Sequence, residues 1–190
     1  MDALEARDHL EMVDRILAQA ERGTSAATPW LYIVWGIVGA VLDACDQLVL
    51  VAHYPPRLFF FSGACLLVAI GVTVAYGIRL RRMERVSTFE RQIGRVFWAA
   101  SIAAMVVEIG AGHLFPGWAA AAIWSVVIAV PLLFVGLQGH RVTMSGGVVL
   151  LASVVAANFV PANLTGYVLA AGMLVGLTGS GIAFAMLSRK

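Results

Sequence analysis

The stretch Trp30–Ala52, WLYIVWGIVGAVLDACDQLVLVA, decides the fold of this chain. An α-helix rises 1.5 Å per residue, so about 20 apolar residues cross the roughly 30 Å hydrocarbon core of a bilayer. This stretch has that length and apolarity, and it holds no Lys or Arg. It nevertheless carries two carboxylates, Asp43 and Asp46. A charge at bilayer depth costs at least about 2.5 kcal/mol on insertion scales, so an intramembrane acid points to function or to a buried partner.

Five further stretches qualify as spans. Together with the first they run approximately over residues 30–52, 58–80, 96–115, 118–138, 142–160 and 164–187. Turn signals divide them: His53-Tyr54-Pro55-Pro56-Arg57, Pro116-Gly117, Gly139-His140-Arg141 and Pro161-Ala162-Asn163. Hydrophobic residues make up 61% of the chain and charged residues 13%, with a mean hydropathy of +0.88, which excludes an ordinary soluble domain. The expectation is an all-α, polytopic membrane protein. Its six transmembrane helices form a single bundle of three helical hairpins over residues 28–190, preceded by a cytoplasmic amphipathic helix within residues 1–25. Pro131, inside the fourth span, is expected to kink it or to mark an irregular stretch.

Orientation is read from the basic residues. The segment 79–95 carries Arg79, Arg81, Arg82, Arg85, Arg91 and Arg95 against Glu84 and Glu90, whereas the opposite side has only Arg57. The positive-inside rule then gives a multi-pass cell-membrane protein with both termini in the cytoplasm. In residues 1–22, Leu10, Val13, Ile16, Leu17 and Ala20 form one stripe of a helix. Six acids against three bases there disfavour anionic lipid and favour docking on the arginine-rich loop or on another subunit. That acidic start is also unlike a cleavable signal peptide.

At 100° per residue, Gly36, Gly39, Asp43, Asp46, Gln47 and Leu50 share one side of the first span. Val34, Val38, Val41, Cys45, Leu48 and Ala52 share the other. The small and polar side belongs inside the bundle and the greasy side in lipid. In the third span Phe97, Ser101, Ala104, Met105, Glu108, Ala111 and Gly112 likewise fall together. Asp43, Asp46 and Glu108 lie at similar depth, and Asn158 lies near the same end of the fifth span. The expectation is an outward-facing acidic cavity with Asp43, Asp46, Gln47, Glu108 and Asn158 as binding residues. Two carboxylates one turn apart in hydrocarbon cannot ionise independently, so the pair carries a proton or takes a cation.

Three readings of function follow. The first is a proton- or cation-linked transporter or ligand-binding membrane protein, taking protons or a small cationic or hydrogen-bonding solute. The second is a regulatory or scaffold membrane protein whose cytoplasmic helix and arginine loop bind a partner, with the acids purely structural. The third is a metal- or haem-binding protein that uses His53 and His113 for a divalent metal or haem. No cofactor is expected under the first two. Enzymatic activity is not expected, because the chain has no nucleophile elbow, no paired metal-binding histidines on a helix and no phosphate loop. Nucleic-acid binding is not expected either, since the bases follow membrane topology. Cys45 and Cys65 read as core or lipid-facing thiols. The stripe Gly172, Gly176, Gly179 and Ala183 in the last span reads as an internal seam or a homodimer contact.

Overall fold

The computed structural model describes residue 12, residues 28–50, 55, 57–82, 95, 98–99 and 101–106, and then 117–137 and 141–187. Among these residues all regular structure is helical and there is no strand. Helix α1 spans Thr28–Leu50, α2 Arg57–Arg82, α3 Gly117–Leu137 and α4 Arg141–Ala157. Helix α5, Thr165–Met173, runs without a break through a π turn, Leu174–Thr178, into α6, Gly179–Leu187. The helix over 165–187 is therefore one composite rod.

Among the described residues four helices are long and apolar enough to cross a membrane: Pro29–Val49, Phe60–Arg79, Trp118–Leu137 and Thr165–Leu187. Helix α4 is apolar but shorter, at 17 residues. Of the expected third span, residues 98–99 and 101–106 are helical, and the remainder lies outside the described residues. The expected amphipathic helix also lies outside them, apart from Met12. So do most of the arginine loop, Glu108, His53 and His113.

Apolar composition alone does not bring helices together in hydrocarbon, because lipid tails are as apolar as leucine. Small residues that let backbones approach do so. The composite helix shows this on two sides. Towards α4, Gly176 meets Gly146 so closely that a Cβ on Gly176 would lie 2.9 Å from the Gly146 carbonyl oxygen, and Gly172 sits against Ser153. Towards α1, Gly36 packs on Leu177 and Thr178, Gly39 on Met173, and Gly181 on Ile33 and Pro29. Rising numbers on α1 meet falling numbers on the composite helix, so the two are antiparallel. The composite helix is thus held between α1 and α4.

Helix α3 pairs with α4 as an antiparallel hairpin, Gly136 against Met144 and Gly147 against Leu133. Pro131 is buried within α3, which is helical on both sides of it. Helix α2 packs chiefly on α1, and Trp35 Nε1 donates to Thr73 Oγ1 at 3.0 Å across that pair. The rest of α2 presents Phe60, Phe61, Leu67 and Val68 outward, a surface suited to hydrocarbon. Cys45, on the side of α1 expected to face lipid, is instead buried. The core is built from Ala40, Ala129, Leu132, Leu150, Ala170, Met173 and Leu177.

The π turn has a structural consequence. The Gly179 N–H donates to the Leu174 carbonyl, five residues back. The wider turn changes which residues face inward. Gly172, Gly176 and Ser180 are buried, whereas Gly179 is exposed. Of the four members of the expected small-residue stripe, Gly172 and Gly176 therefore form an internal seam, Gly179 leaves it and Ala183 is half-buried.

Candidate functional site

Asp43 and Gln47 are four residues apart on α1, so both project from the face that meets the composite helix. Both are buried, Asp43 at 6% and Gln47 at 5% exposure. Opposite them the chain leaves α4 through the turn 158–164 and enters α5. That turn is closed by Leu164 N donating to Pro161 O at 2.8 Å and Val168 N donating to Leu164 O at 3.1 Å. The first N–H groups of any helix have no partner inside it. Gln47 supplies one.

The Gly166 N–H donates to Gln47 Oε1 at 2.6 Å, and Gln47 Nε2 donates to the Ala162 carbonyl at 2.9 Å. One amide side chain on α1 thus holds the turn and the first turn of α5 together. Glycine at 166 is required by this approach. A Cβ there would lie 2.6 Å from both Cβ and Oε1 of Gln47 and 3.0 Å from the Asp43 carbonyl oxygen. Helix α5 and Gln47 could not then meet without one of them moving.

Asp43 is in a different position. Its Oδ2 is buried and has no hydrogen-bond partner among the described residues. Helix-spanning polar groups in a membrane normally find a partner on a neighbouring helix, and buried polar atoms without one are uncommon. An ionised carboxylate held there without a donor would cost several kcal/mol. The closed arrangement therefore suits a carboxyl that carries a proton or holds a cation.

The remaining expected site residues divide in three. Asp46 is half-buried beside Asp43 on α1 and makes an interaction of its own. Asn158 is exposed, and its Nδ2 donates to Val154 O at 2.9 Å, so its amide serves the end of α4. Glu108, His53 and His113 lie outside the described residues. On the expected inner face of the third span, Ser101 and Ala104 are buried, and Ser101 Oγ has no hydrogen-bond partner. Among the described residues no group of three or more His, Cys, Asp or Glu is placed to hold a metal ion.

Ala162 and Gly166 are the participants that the sequence did not single out. Both act through backbone atoms, so residue type carries little trace of the role. The one usable signal was a glycine directly after Thr165 at a helix start. No family model matches this chain, and no curated protein or solved structure is significantly similar to it.

Proposed function

We propose that this chain is a small integral membrane protein that takes up a proton or a small cation at Asp43, in the manner of an ion-linked transporter or ligand-binding membrane protein. The observation that carries the reading is the buried Asp43 Oδ2 without a partner. An acid used as interhelical glue would donate to a backbone or side-chain oxygen. On the same face Gln47 is the residue that does this, bonding to both Ala162 and Gly166. Asp43 Oδ2 is left without such a bond among the described residues, free to serve a bound proton or cation. Asp46, one turn along, supplies the second carboxylate that couples its protonation to that of Asp43.

The test is carboxyl titration by infrared difference spectroscopy on protein in lipid, between about pH 4 and 9, with and without Na⁺ or K⁺. The wild type is expected to show a carboxyl band that responds to pH or to cation, and Asp43→Asn is expected to remove it. The reading fails if no carboxyl band changes, or if the band survives in Asp43→Asn.

A further inference from the structure

We infer that Gln47 gates the Asp43 carboxyl, closing the polar end of a seam whose other end is sealed by apolar packing. The inference rests on the reading of Asp43 as a proton or cation site.

The seam between α1 and the composite helix can be followed residue by residue. At one end Gln47 is bonded to Ala162 and Gly166. Asp43 comes next, its backbone beside Gly166, and then Gly39 against Met173 and Gly36 against Leu177 and Thr178. Asp43 thus has a polar clamp on one side, about one helical turn away, and an apolar plug on the other. The plug consists of Ala40, Ala170, Met173 and Leu177, each no more than 7% exposed and all in one cluster.

The two ends differ in what opening requires. Parting the plug separates packed apolar surfaces, and a proton or cation entering there gains no replacement contacts. Parting the clamp exchanges two hydrogen bonds for bonds to water, which is nearly balanced. The clamp is also anchored in the turn between α4 and α5, where Ala162 and Asn163 are exposed. Rotation of the Gln47 side chain away from the turn would therefore open a path to Asp43 while the core stayed packed. Gly166 permits closure, because any side chain there would push against Gln47 and Asp43.

The experiment measures how fast the Asp43 carboxyl exchanges hydrogen for deuterium when the full chain in nanodiscs is moved into D₂O. The band is assigned by its loss in Asp43→Asn. Gln47→Met keeps the length of the side chain and removes both bonds. Gly166→Ala leaves Gln47 intact and sets a Cβ against Gln47 Cβ, Gln47 Oε1 and the Asp43 carbonyl, parting α5 from α1 at the clamp end of the seam. Both are expected to speed exchange at Asp43 by about tenfold. Backbone amides of α4 around Leu150 should exchange at the wild-type rate in both. Unchanged Asp43 exchange in both variants overturns the gate while leaving the binding site standing. Equal acceleration at Asp43 and in α4 also overturns it, since that is general loosening. Absence of an Asp43 band in the wild type overturns both the gate and the site. If Gln47→Met does not fold, Gly166→Ala alone decides.

Discussion

Asp43 and Gln47 share a helix face and a degree of burial, and they differ in whether their polar atoms are used. That difference has opposite consequences for stability. Removing a buried polar group that lacks a partner relieves a cost of about 1–3 kcal/mol. Asp43→Leu is therefore expected to hold or raise the thermal unfolding midpoint in detergent, while abolishing the ion response. Gln47→Leu strands the Ala162 carbonyl and the Gly166 N–H, and is expected to lower the midpoint. Interhelical hydrogen bonds in membranes average about 0.6 kcal/mol each, so the drop should be modest. A large loss of stability in Asp43→Leu would show that this carboxyl is structural. The expected pattern is that of a site whose function is kept at some cost to the fold.

Among the elements, the composite helix shows most clearly what small residues do. Gly172 lies directly against Ser153, whereas the nearest neighbour to a Cβ on Gly179 would be Leu174 O at 4.0 Å. Gly172→Leu is expected to abolish monodisperse behaviour on size-exclusion chromatography, and Gly179→Ala to leave the elution profile unchanged. Equal effects would contradict the described seam. The inward face of α1 was legible in the sequence because Gly36, Gly39, Asp43 and Gln47 repeat at helical spacing. The element that covers it was not. Its contacts come from 115 and 119 residues away and run through a carbonyl and a backbone N–H. Gly179 misled for a related reason: a regular 3.6-residue period cannot reveal a π turn, which regroups every residue after it. Cys45 misled because greasy residues suit a helix neighbour as well as they suit lipid.

For the molecule as a whole, orientation is the property that decides from which side Asp43 would be served. If segment 79–95 is cytoplasmic, as its six arginines predict, the Gln47 end of the seam would lie on the outside. With Cys45 and Cys65 replaced by Ala, an impermeant thiol reagent applied to intact cells is expected to spare Ser87→Cys and to label Pro55→Cys. The reverse pattern would turn the site towards the cytoplasm. The central place of the composite helix also bears on how the protein is made. Helix α1 leaves the ribosome before the composite helix, and Gly166, which covers it, follows Gln47 by 119 residues. At roughly 5–20 residues per second, on the order of 10 s passes before that partner exists. Throughout that interval an aspartate and a glutamine are presented to whatever lies beside a newborn helix. Shelter of α1, by the insertion machinery or by α2, is therefore expected until the composite helix arrives.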